Sequence, residues 1–163
     1  MAATEEKEFD PTLDSVELNT ARVMGHVVEK GFQLGGVLGS GVVAPVMFFR
    51  HSRRGVSPRA ALPLVAGAVY KTVLASTVLT GAMGAVVLAR VDDLQAGVED
   101  RAYRLHYNQG QNRADKFARV GAAAGAAAAA AMLPLSVAPL VAGSAVGAAV
   151  AFGAHVGTKP AQE

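Results

Sequence analysis

Few side chains in this 163-residue sequence could do chemistry, and most of them lie between Asp92 and Arg119. His106 could pair with Asp100 or Asp115 as an acid–base couple, the arrangement that moves a proton at neutral pH. No Ser or Cys nucleophile accompanies them in that segment, and no His and carboxylate residues stand at a metal-ligand spacing. Catalytic, cofactor-binding and metal residues are therefore expected to be none, and no cofactor is expected. The run GGVLGSG at 35–41 has the glycines of a dinucleotide loop, but it has no preceding strand and sits inside an uncharged stretch. Tyr103 and Tyr107, four residues apart with Arg104 between them, fit an interfacial anchor or a docking face for another protein. Lys71 is a lone cation deep in an apolar segment, where it would serve an ion relay or snorkel toward a phosphate or a neighbouring subunit.

The elements that must carry these residues are apolar helices. Hydrophobic residues make up 52% and charged residues 17% of the chain, with 18 Gly and no Trp, against about 25% charged in an ordinary soluble domain. The absence of Cys removes disulfides, thiol catalysis and Cys-ligated metals. A formal net charge of +2 provides no phosphate-binding surface, so nucleic acid is not an expected partner. Residues 31–49 carry no charge, residues 60–89 carry only Lys71, and residues 120–158 carry none. About 20 such residues cross the hydrocarbon of a bilayer as helix. The expected fold is thus all-α, an integral membrane bundle of about four Gly- and Ala-rich helices with an amphipathic segment between helices. Spans are expected near 31–49, 60–89, 117–133 and 138–157, with a loop over 90–116, an acidic extramembrane segment over 1–30 and a tail over 158–163. Pro134 and Pro139 mark the turn between the last two helices; one long kinked helix or a re-entrant pair would also fit there.

Within the loop, Val98, Ala102 and Leu105 recur at helical spacing and predict a short amphipathic helix over 98–107, ended by Gly110 and followed by a restart over 112–116. Helix association in lipid rests on close approach at small residues. Gly35 and Gly39, Gly121 and Gly125, Gly143 and Gly147, and Gly153 and Gly157 all repeat at that four-residue interval, and predict backbones in contact.

Orientation follows from the connections. Arg50, Arg53, Arg54 and Arg59 face no acid in residues 50–59, whereas residues 1–30 hold three cations and seven acids. The Arg-rich connection is expected on the electrically negative side, with both termini opposite. The start, MAATEEKEFD, has neither an apolar core nor presequence character, so targeting information is expected to be internal.

The run GVEDRAYRLHYNQGQNRADKFARVGAAAG, with GGVLGSGVVAPVMFFR upstream, resembles an uncharacterised family of small multi-span membrane proteins of algae, plants and protists that carries a D-R-A-Y-R-L-x-Y-N segment before its third span. More distantly, the plan is similar to the mitochondrial preprotein and amino-acid transporter family, which includes inner-membrane translocase channels and an accessory subunit of respiratory complex I. That family sets an Arg four residues before an Asp; here Gln111 stands four before Asp115. The resemblance implies a non-catalytic accessory subunit of a mitochondrial inner-membrane respiratory complex, with other subunits and membrane lipids as partners. In a mitochondrial inner membrane the charge distribution then puts both termini in the intermembrane space and residues 50–59 in the matrix. A translocase or solute-channel subunit is the alternative, and a chloroplast membrane is another expected address.

Overall fold

The computed structural model describes residues 8–157, and among them the secondary structure is entirely helical. A short 3-10 turn, Pro11–Leu13, leads into α1 (Val16–Leu38), a π turn (Gly39–Val43), α2 (Ala44–Ser52), α3 (Pro58–Ala89), α4 (Leu94–Tyr107), α5 (Gln109–Met132) and α6 (Val137–Gly157). The starts are set by side-chain caps that satisfy free backbone N–H groups. Ser15 accepts from Leu18 N, Ser57 from Ala60 N, Asp93 from Ala96 N and Asn108 from Gln111 N.

Helices α1 and α2 form one rod of 37 residues, Val16–Ser52. The π turn lies just ahead of Pro45, and the Ala44 N–H reaches back to Gly39 O. Proline supplies no N–H and crowds the preceding turn, and the wider π turn absorbs both effects without breaking the rod. The turn between α2 and α3 closes at Gly55, whose φ of 70° suits a residue without Cβ.

Three helical stretches are long and apolar enough to cross a membrane: Val16–Ser52, Pro58–Ala89 and Val137–Gly157. Helix α5 is long enough, but seven of its first eleven residues are polar or charged, which leaves Val120–Met132, about 20 Å at 1.5 Å per residue, as its apolar part.

The expected loop over 90–116 holds the predicted short helix and the restart after it, but from Leu94 on it is helical throughout except for one residue, Asn108. Helix α4 begins at Leu94, four residues before the expected start, because Asp93 caps it. It ends at Asn108, not at Gly110, since the Asn108 side chain caps α5 and carries Gly110 into that helix. Residues 16–30, assigned by sequence to an extramembrane segment, continue the first rod by four turns. Of the two prolines at the last turn, Pro134 lies in it, and Pro139 occupies the first turn of α6, where its missing N–H costs no helical bond.

Glycines set the contacts between rods. A Cβ on Gly35 would lie 2.6 Å from Val73 Cα, and one on Gly39 would lie 2.9 Å from Val69 Cγ1, so α1 rests on the backbone of α3. Gly36 meets the Ala145 carbonyl of α6 as closely. Gly121 and Gly125 of α5 face Gly147 and Gly143 of α6, carbonyl against Cα, over two turns. The pair Gly153 and Gly157 differs: a Cβ on either would meet nothing within 4 Å, although His155 between them still stacks on Phe117 of α5. The small core that results is built of Val65, Val69 and Val73 of α3 with Ala142 and Ala145 of α6. Leu in place of Gly35 should weaken α1–α3 association by about 1–3 kcal/mol, whereas Val42→Leu, at a 56% exposed position, should leave it unchanged. Steady-state levels of the two variant chains read the difference.

Candidate functional site

The polar side chains gather at the end of the bundle where α1 begins and α5 starts. His26, Glu29, Lys30 and Gln33 follow one another at intervals of one, three or four along α1, and Gln111, Asp115 and Arg119 follow at intervals of four along α5. Each set is one helical face, and the two faces meet. Asp115 is 4% exposed. Its carboxylate accepts from the Lys30 ammonium, from Gln33 Nε2 at 3.0 Å and from Gln111 Nε2 at 3.4 Å, and His26 Nδ1 stands 3.7 Å away. Beside it, Arg119 clasps Glu29 with two bonds, Nε to Oε1 at 2.9 Å and Nη2 to Oε2 at 2.7 Å. Burial works against ionisation of Asp115, but the hydrogen bonds from Lys30 and Gln33 and the Lys30 charge outweigh it, and its carboxyl is held below the ordinary 3.8.

His26, Glu29 and Asp115 bring three donor atoms within 4.8 Å of one another, a spacing that could hold a cation. Lys30 and Arg119 already sit on the two carboxylates, so a metal would have to displace both. In this form the cluster is an ion-pair network that ties α5 to α1.

Around it the N-terminal residues fold over α4. Phe9 stacks on His106 with ring centroids 4.3 Å apart and lies under the Arg22 guanidinium at 5.1 Å. Asn19, fully buried, donates to Pro11 O at 2.8 Å and accepts from Arg22, which is also paired with Asp14 at 2.5 Å. Val98, Ala102 and Leu105 form the inward face of α4, and Val98 packs on Val23 and Leu88.

The acid–base couple drawn from the sequence is not assembled. His106 is stacked on Phe9, Asp100 holds Arg104 at 3.0 Å, and Asp115 is engaged by Lys30. Tyr103 and Tyr107 lie side by side, ring centroids 4.6 Å apart, and both remain more than 40% exposed. Arg104 is exposed next to them, and the Tyr107 hydroxyl makes a long bond, 3.4 Å, to Phe9 O. Lys71 is exposed on the outside of α3, in a shallow groove with Leu34, Leu38 and Met83. His155, near the end of α6, is buried and stacks on Phe117 at 4.8 Å.

The Lys30–Asp115 network is the feature that reading the sequence missed. Its signal was present in the two four-residue polar stripes, 26-29-30-33 and 111-115-119. The expected boundaries split both stripes, with 26–30 and 111–115 in extramembrane segments and Gln33 and Arg119 in the first and third spans, and did not pair them.

No curated protein matches the chain, and no solved structure matches it either. One family model does, over residues 4–156, nearly the whole length. The chain therefore belongs to the family described as "Protein of unknown function (DUF1757)".

Proposed function

We propose that this protein is a non-catalytic accessory subunit of a mitochondrial inner-membrane respiratory complex, NADH:ubiquinone oxidoreductase (complex I), crossing the membrane four times. The observation that carries the reading is the distribution of polar groups along the bundle. Every ion pair among the described residues lies at the end where α1 and α5 begin, Arg50, Arg53, Arg54 and Arg59 lie at the other with no carboxylate among residues 50–59, and Leu64, Leu74, Val78, Leu79 and Met83 stand exposed between. A belt of that kind suits lipid or the apolar flank of a larger subunit. Tyr103, Tyr107 and Arg104, exposed on a rigid helix beside that belt, suit a docking contact at the membrane surface. The mitochondrial address and the choice of complex I rest on the resemblance of the 92–119 segment and of the Gly-rich helical plan.

Native gel electrophoresis of solubilised mitochondria with mass spectrometry tests the assignment. The chain should migrate with the NADH-oxidising complex; migration with an import translocase would support the alternative instead. For topology, tags on both termini should be cleaved together by protease in mitoplasts with an intact inner membrane, while Arg53 and Arg54 stay protected. Cleavage of one terminus alone would remove the four-crossing arrangement.

A further inference from the structure

Helix α5 has an unusual setting. It packs closely on α6 and is tied to α1 by Lys30–Asp115 and Glu29–Arg119 at the polar end, but toward the Arg-rich end it stands away from α3. The gap is a cleft of about 620 Å³ between α2 and α3 on one side and α5 and α6 on the other. Its walls are hydrocarbon throughout except for Ser40, whose hydroxyl already donates to Gly36 O at 2.7 Å. An occupant therefore has to be apolar along its length. A single extended hydrocarbon chain is slender enough.

The mouth of the cleft adds a charge. Leu62 and Phe48 line it on the α3 and α2 side. Arg59 precedes Leu62 by three residues, so it lies about one turn beyond the lining on the same face of α3, and it is exposed. Arg50, Arg53 and Arg54 flank the position, and no carboxylate occurs in residues 50–59. We propose that the cleft between α3 and α5 is a binding site for an anionic glycerophospholipid, one acyl chain lying along Ala124 and Ala128 and the phosphate held at Arg59 among the flanking arginines. The site rests on the membrane reading of the chain, but not on which complex the chain joins. It also accounts for the open half of the bundle: a bound acyl chain fills the space that α5 leaves and completes the packing of α5 against α3.

The test uses the full-length chain, extracted from membranes in detergent and mixed with equal amounts of dioleoyl phosphatidylglycerol and dioleoyl phosphatidylcholine. Native mass spectrometry then counts the lipids retained. The wild-type chain should retain the anionic lipid about tenfold over the zwitterionic one, and Arg59→Gln should lose most of that preference. Ala128→Phe, which fills the cleft from an exposed wall position, should lower retention of the anionic lipid about tenfold. Ala123→Phe, exposed on α5 but outside the cleft, should retain it as the wild type does. Ala124→Leu serves as a second cleft variant if circular dichroism shows Ala128→Phe misfolded. Equal retention of the two lipids by the wild type, or full retention by the folded cleft variants, would overturn the site. A chain recovered in water without detergent would overturn the membrane reading and the site together, whereas a chain that needs detergent but selects no lipid overturns the site alone.

Discussion

Leu in place of Gly125 should separate α5 from α6, the largest single-residue effect expected in this protein. A Cβ at Gly125 falls on the Gly143 carbonyl oxygen, and one at Gly147 falls on the Gly121 carbonyl oxygen. Both obstacles are backbone, with no side chain able to rotate away, so the only relief is to move the helices apart along two turns. In lipid, association depends on that close approach, and the added volume costs about 3 kcal/mol or more. Because α6 also supplies Ala142 and Ala145 to the core against α3, the disturbance reaches the rest of the bundle. The expected result is loss of most of the inserted protein, measured as its abundance in carbonate-washed membranes. Gly153→Leu, at a glycine with nothing within 4 Å, should be tolerated.

Asp115→Ala should produce the second largest loss. It removes the acceptor of Lys30, Gln33 and Gln111 at once and leaves an ammonium whose side chain is 28% exposed without its counter-charge. Breaking a fully buried pair by deleting one partner costs about 3–5 kcal/mol, and the partial exposure of Lys30 lowers this to about 2 kcal/mol. The pH dependence has a definite sign. The folded-state value of Asp115 lies below its ordinary 3.8, so its contribution is complete above that value and is lost as pH falls through the lower, folded one. Thermal unfolding in detergent should therefore show the wild type losing stability in acid. Asp115→Asn, already weaker at neutral pH, should show a shallower acid decline. Parallel pH curves for the two proteins would remove Asp115 from the network.

How far the amino-acid sequence discloses this arrangement differs from element to element. The inward face of α4 was legible because Val98, Ala102 and Leu105 keep helical spacing among charged neighbours, and the facing pairs Gly121–Gly125 and Gly143–Gly147 were legible as small residues one turn apart. Where α4 ends was not, because Gly110 is a strong helix-breaking signal by composition, while Asn108 acts through a side-chain bond to Gln111 N that composition does not reveal. The Lys30–Asp115 network was hidden for another reason. Its residues are 85 positions apart, and each looked like a solvated charge until its helix extended past the apolar segment and brought the two polar stripes together. The cleft between α3 and α5 depends on how separate helices pack, which no single-helix pattern encodes.

The central claim is that this chain builds a membrane complex and takes no part in its chemistry. It is tested most directly by replacing Tyr103, Arg104 and Tyr107 together with Ala. Central aromatic and Arg anchors contribute about 2 kcal/mol or more each to interfaces, and here they stand exposed on α4 away from its buried face. The measurement sets the abundance of the NADH-oxidising complex on native gels beside its turnover per assembled complex. The account predicts a fall in abundance with turnover per complex unchanged; full abundance with lost turnover would contradict it and make this helix part of the reaction.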